Sequence, residues 1–148
     1  MDHSFKIVGI QLNEAHFAIN NQYKREKNKV IDLTHSIEVG YKHADKVLRV
    51  LVLISSDSEN LPFRFSVAWE GAFAFDEMPS DEELERIARI NCASIIFPYV
   101  RETIADLTRR ANMTPLNLPP LNFVALYEES QQQALKIPLK NTRTKRKE

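Results

Sequence analysis

Between Leu61 and Phe75 the odd positions carry Leu61, Phe63, Phe65, Val67, Trp69, Gly71, Phe73 and Phe75. The even positions carry Pro62, Arg64, Ser66, Ala68, Glu70, Ala72 and Ala74. A helix would scatter the bulky set around its axis, whereas a strand puts it all on one side. A strand this long with one greasy face cannot stand by itself, so the chain must supply partner strands and something to cover that face.

The preceding sequence supplies the partners. Phe5, Ile7, Ile10 and Leu12 begin an alternation that changes phase near Gly9, which predicts a bulge there. Ala15, Phe17 and Ile19 run in the opposite parity to Ile10 and Leu12, so a second irregularity is expected near Glu14. Odd positions from Ile31 to Tyr41 are Ile31, Leu33, His35, Ile37, Val39 and Tyr41, with a wet opposite face. Val47–Ile54 is apolar except for Arg49, as an inner strand would be. Ser55–Asn60 has turn chemistry. Short connections predict an antiparallel meander of four strands.

The rest reads as helix, and supplies the cover. Pro79-Ser80-Asp81 followed by Glu82 and Glu83 is a helix start, and Leu84, Ile87 and Ala88 form its stripe. Pro98 has no amide donor and is expected to restart or kink a helix. Val100, Ile104, Leu107 and Ala111 then recur at helical spacing. Three prolines within Pro115–Pro120 forbid regular structure, yet Leu116, Leu118 and Leu121 keep the segment apolar. Phe123, Leu126, Tyr127, Ser130 and Ala134 make the stripe of a last helix ending before Pro138. Strands first and helices after give an α+β fold: a four-stranded antiparallel sheet packed with two main helices.

Charge is uneven although the net is zero. Lys136, Lys140, Arg143, Lys145, Arg146 and Lys147 face Glu148, giving residues 136–148 a net +5 and residues 1–135 a net −5. The expected organisation is a single domain over 1–135 followed by a basic extension, read as disordered, over 136–148. No apolar run reaches membrane-spanning length, and the start lacks the pattern of a secretory signal. With one cysteine, Cys92, an internal disulfide is impossible, which fits a reducing, cytoplasmic setting.

The chemistry-bearing residues form no catalytic or metal-binding constellation. His3, His16, His35 and His43 have no ligand spacing among themselves or with Cys92. Arg101 and Glu102 are neighbours on a helix and do not face each other. No phosphate-binding, dinucleotide-binding, zinc-protease or nucleophile-elbow motif occurs. No cofactor is expected, and an enzyme is disfavoured. The competing class is a nucleic-acid binder using the basic tail, but the remainder is acidic and has no recognition motif.

Two runs carry a family likeness. Ile96-Phe97-Pro98-Tyr99-Val100-Arg101-Glu102-Thr103-Ile104 and Leu116-Asn117-Leu118-Pro119-Pro120-Leu121-Asn122-Phe123-Val124-Ala125-Leu126 resemble the SecB export chaperones. Phe5-Lys6-Ile7, Val47-Leu48-Arg49-Val50 and Gly71-Ala72-Phe73 resemble the same family more loosely. The resemblance implies an ATP-independent holding chaperone for unfolded or pre-secretory polypeptides, assembled as a tetramer built from two dimers. It implies a client groove at Leu116, Leu118, Leu121, Phe123, Leu126 and Tyr127, with Phe97 and Tyr99 nearby. It also implies SecA as a partner, docking on an acidic sheet surface. There Glu14 matches, but Ala18, Arg64 and Ser66 replace the other expected residues, and Arg64 reverses the charge. A dedicated chaperone of a toxin–antitoxin system is the alternative within the family.

Overall fold

A computed structural model describes residues 4–24, 33 and 35–136. Four strands, β1 (Phe5–Ile19), β2 (Ser36–Ala44), β3 (Val47–Ser56) and β4 (Phe63–Phe75), form one antiparallel sheet in the order β1-β4-β3-β2. Strands β2, β3 and β4 make the expected meander. β1 does not join it beside β2; it pairs along the whole of β4. The β1–β2 connection is long enough to cross the end of the sheet, so chain adjacency does not dictate pairing. At the end of β1, Asn20 is tied to the β3–β4 connection, with its backbone N–H donating to the Pro62 carbonyl and its side-chain amide to that of Leu61.

Both irregularities expected in β1 are present: the register shifts between Ile7 and Gly9 and again between Leu12 and Glu14. Each adds one residue and restores the apolar parity. Phe5, Ile7, Ile10, Leu12, Ala15, Phe17 and Ile19 therefore share the face of Phe63, Phe65, Val67, Trp69, Gly71, Phe73 and Phe75. β2 starts at Ser36 and reaches Ala44, later at both ends than the alternation implied. His35 precedes it and is exposed. Residues 31, 32 and 34 lie outside the described residues.

The helical cover comprises α1 (Asp81–Arg86), a π-helical turn (Ile87–Cys92) and α2 (Ala93–Arg110), which follow one another without a break. Ser80 supplies the cap, its Oγ accepting from the Glu83 N–H at 3.3 Å. At the end of the π turn the Ala93 N–H reaches the Ala88 carbonyl, five residues back. Pro98 lies inside α2 and does not restart the helix. Pro98 and Ser94, whose carbonyl loses its donor to the proline, are both exposed, so the missing bond faces water. Ala88, Cys92, Ala93, Ile96, Val100 and Ile104 press onto Leu48, Val50, Val52, Ile54, Val67 and Phe73 to form the core. At Gly71 a Cβ would stand 2.8 Å from the Phe73 ring and 3.2 Å from Ile96, so the sheet and α2 approach there only without a side chain.

The cover is incomplete over β1. Ile7, Leu12 and Ile19 are about half exposed on the core-facing side, and Val8, in the first bulge, is 64% exposed. The other sheet face, bearing Lys42, Arg49, Arg64 and Glu70, carries no helix among the described residues.

Candidate apolar groove

The proline-rich segment and the last helix, α3 (Phe123–Lys136), build this site on top of the core. α2 ends in a hydrogen-bonded reversal: Asn112 takes φ 62°, its N–H donates to the Arg109 carbonyl, and the Met113 N–H donates to the Thr108 carbonyl. This is the Schellman arrangement, with asparagine in the position glycine usually fills.

Thr108 then fixes the loop. Its side chain is fully buried, and its Oγ1 accepts from the Leu116 N–H at 2.9 Å while sharing its own proton with the Ile104 and Ala105 carbonyls. Pro115, Pro119 and Pro120 are exposed, and the leucines between them point in to different depths. Leu118 is 2% exposed and belongs to the core. Leu116 and Leu121 are half-buried and rest against it. Asn122 caps α3, its Oδ1 accepting from the Ala125 N–H at 3.0 Å. Phe123 is buried and meets the buried Phe97 of α2 edge-on at 5.7 Å, which pins the start of α3 to α2.

Leu126 and Tyr127 follow on α3, both half-buried. Burial is the main reason the Tyr41 phenol is pushed above its ordinary value, with Glu85 adding to the rise and Arg89 opposing it. Arg89 closes this side: its guanidinium sits 5.5 Å from the centre of the Tyr41 ring, donates to the Val39 carbonyl at 2.9 Å and pairs with Glu85 at 3.3 Å.

Leu116, Leu121, Leu126 and Tyr127 thus offer partly open apolar surface, whereas Leu118, Phe97 and Phe123 are committed to the subunit's own packing. Tyr99 is separate: it is 43% exposed on α2 and packs at 5.1 Å on Trp69, whose indole N–H donates to Thr103 Oγ1. Trp69 lies across from Leu12 of β1, so Tyr99 belongs to the exposed β1 flank. Thr108, Asn112 and Asn122 are structural parts of the loop that the sequence reading missed. The signal for Asn122 was its place just before the apolar stripe of α3; nothing local singles out Thr108.

Glu14 lies on the open sheet face. It accepts from Ser66 Oγ at 3.0 Å and stands 3.6 Å from His16. The side chain of Lys136 and residues 137–148, with Lys140, Arg143, Lys145, Arg146 and Lys147, lie outside the described residues. Among the described residues no three His, Cys, Asp or Glu side chains are grouped to hold a metal, and no helix is long and apolar enough to cross a membrane.

Comparison with known proteins identifies the family and the fold. The model of the family described as preprotein translocase subunit SecB matches residues 10–134. The protein-export protein SecB of Acidithiobacillus ferrooxidans is 30% identical over 103 residues, 70% of this chain and 68% of the relative. That of Magnetococcus marinus is 32% identical over 117 residues, 79% and 72% of the two chains. Among solved structures, the fold is similar to a Mycobacterium tuberculosis SecB-like chaperone in complex with a ChAD peptide from an antitoxin. The TM-score is 0.61, with 22% identity, over 80% of this chain and 90% of that one. A protein of unknown function from Streptococcus agalactiae has the same fold at TM-score 0.56 and 12% identity, over 80% and 99% of the two chains. The chain therefore belongs to the SecB family of protein-export chaperones.

Proposed function

We propose that the chain is an ATP-independent holding chaperone of the cytoplasm that binds unfolded or pre-secretory polypeptides in the groove of the crossover loop and α3. One observation carries this reading. Leu116, Leu121, Leu126 and Tyr127 are held half-open on a frame fixed by Leu118, Phe97, Phe123 and Thr108. A holder of many sequences needs apolar surface that stays accessible and does not collapse on itself. Burial there is worth roughly 25 cal/mol per Å² before the cost of association. Residues 1–135 act as one chaperone domain, and the functional particle is a homotetramer made of two dimers, so that several weak grooves hold one long client. The exposed flank of Ile7, Val8, Leu12 and Tyr99 supplies apolar surface for assembly.

The test replaces Leu121 and Leu126 by aspartate, together. The affinity for a reduced, carboxymethylated protein that cannot refold is expected to fall at least tenfold, with solution mass and circular dichroism unchanged. Equal affinity in an intact tetramer overturns the groove assignment.

A second reading, a chaperone dedicated to an antitoxin, has its own support. The acidic SecA-docking pattern is reduced to Glu14, which is bonded to Ser66, with Arg64 farther along the same strand. The solved SecB-like neighbour was captured with an antitoxin peptide. Proteins recovered with the intact chain from its own cells separate the two readings.

A further inference from the structure

The sheet face opposite the helices carries an arrangement of charge that neither the core nor the groove requires. Lys42 of β2 and Arg49 of β3 are direct cross-strand partners on that face, both exposed. Like charges set directly opposite each other destabilise a strand pair, and either position would accept a neutral residue without disturbing the core. The adjoining turn repeats the pattern. Asp45 and Lys46 take φ 51° and 63°, the left-handed conformations that two-residue hairpins usually assign to Asn-Gly or Asp-Gly. A lysine there, where glycine fits best, adds a third cation at the same end of the hairpin. Three cations, Lys42, Lys46 and Arg49, thus gather at this end of the hairpin against the single carboxylate of Asp45.

Lys42, His43, Ala44, Asp45, Val47 and Arg49 line a hollow of about 300 Å³. Its surroundings on the open face are small: Ala72 lies beside Arg49, Ala74 beside Val47, and Gly9 opposite Ala72. Lys6 faces Ala74 on the far strand. From Lys42 across to Lys6 the sheet spans three strand gaps, roughly 15 Å at the usual spacing. Among the described residues, no side-chain hydrogen bond or ion pair engages Lys6, Lys42 or Arg49.

We propose that this end of the open sheet face is a docking site for a short, extended, acidic peptide segment whose carboxylates alternate with small apolar residues. The small residues would lie over Ala44, Val47, Ala72 and Ala74, and the carboxylates would meet Lys42, Arg49 and Lys6. Charge complementarity fixes the sign of the partner, and the flat floor of alanines suits an extended backbone. The rest of the same face limits its length: Glu70 lies diagonally from Arg49, and Glu38 and Glu14 lie farther on. Those acids would repel a long polyanion such as RNA, whereas a segment of four or five residues ends before reaching them.

The probe is a fluorescein-labelled pentapeptide alternating glutamate with alanine and valine, titrated with the full chain and followed by anisotropy. Its partner has glutamine at every glutamate position. The glutamate peptide is expected to bind and the glutamine peptide to bind at least tenfold more weakly. The double variant Lys42→Gln/Arg49→Gln should lose at least tenfold in affinity. A control that removes two exposed cations elsewhere, Lys24→Gln/Arg86→Gln, should stay within twofold of the parent. If the double variant changes the solution mass or circular dichroism, Lys42→Gln takes its place. Equal binding of the two peptides, or equal losses in the hairpin and control variants, overturns the proposal. A single-stranded RNA or a phosphatidylserine vesicle that binds more tightly than the glutamate peptide, and is lost in the same variant, overturns it in favour of a polyanion.

Discussion

Replacing Thr108 by valine isolates what holds the crossover loop in place. Valine keeps the volume and the β-branch, so the packing of α2 in the core is retained. The Ile104 and Ala105 carbonyls that share the threonine proton also serve the helix, and a carbonyl has capacity for both uses. The loss therefore falls on the Leu116 N–H, whose acceptor at 2.9 Å disappears. Leaving such a donor unmade costs roughly 1–3 kcal/mol, and the half-buried position of Leu116 puts this site at the lower end. A local loss of about 1–2 kcal/mol corresponds to a roughly 5- to 30-fold faster opening-limited exchange. Native-state hydrogen exchange is the appropriate assay, because it reads the Leu116 amide by itself whereas denaturation reads the whole fold. The Leu116 amide should exchange faster by that factor while the amides of β3 and β4 keep their protection, and Thr108→Ser should restore much of it. Unchanged protection at Leu116 in Thr108→Val refutes the claim that Thr108 anchors the loop.

Gly71→Ala should destabilise by about 1–3 kcal/mol, because the new Cβ would meet the wholly buried Phe73 ring at 2.8 Å and Ile96 at 3.2 Å. The check is Tm at matched subunit concentration, and a variant as stable as the parent contradicts the close approach. Burial pushes the Cys92 thiol up to about 12, so it should resist thiol reagents at pH 8 until the chain unfolds. The unfolded chain releases this proton near 9 and the folded chain only near 12, so the folded state binds more protons in that window. The stability of the parent relative to Cys92→Ala should therefore fall as pH rises from 9, and a constant difference up to pH 11 contradicts it.

Sequence periodicity revealed the strands because one face of the sheet is buried and the other is wet. It even located both bulges of β1, since a bulge is the way to bring Ile7, Ile10 and Ala15 back to one face. What it could not reveal was the partner of β1, which depends on a long connection and not on pattern. Helix signals were local at Ser80; at Pro98 the helix does not restart, and the lost hydrogen bond costs little because Ser94 faces solvent. The crossover segment was legible as apolar and proline-broken. Its depth was not: Leu116, Leu118 and Leu121 look alike in one dimension, and only the anchoring of Leu116 by Thr108 and the insertion of Leu118 into the core distinguish them.

That distinction bears on how a small subunit keeps apolar surface open without collapsing. A loop of leucines with nothing beneath it would fold inward until all were covered. Here Leu118 already fills the available space, and the Phe97–Phe123 contact fixes α3 at its first residue. The prolines outside the loop narrow its backbone freedom, and the Leu116 N–H is tied to a side chain that cannot move away from the core. Leu116, Leu121 and Leu126 therefore have no deeper site to enter. The β1 flank differs in kind: Ile7 and Leu12 are exposed on a strand of the sheet, each next to a bulge. The half-buried Leu116, Leu121 and Leu126 instead sit on a proline-broken loop and the helix that follows it. Support from Leu118, Phe123 and Thr108 below lets the leucines above stay partly open without loss of the fold.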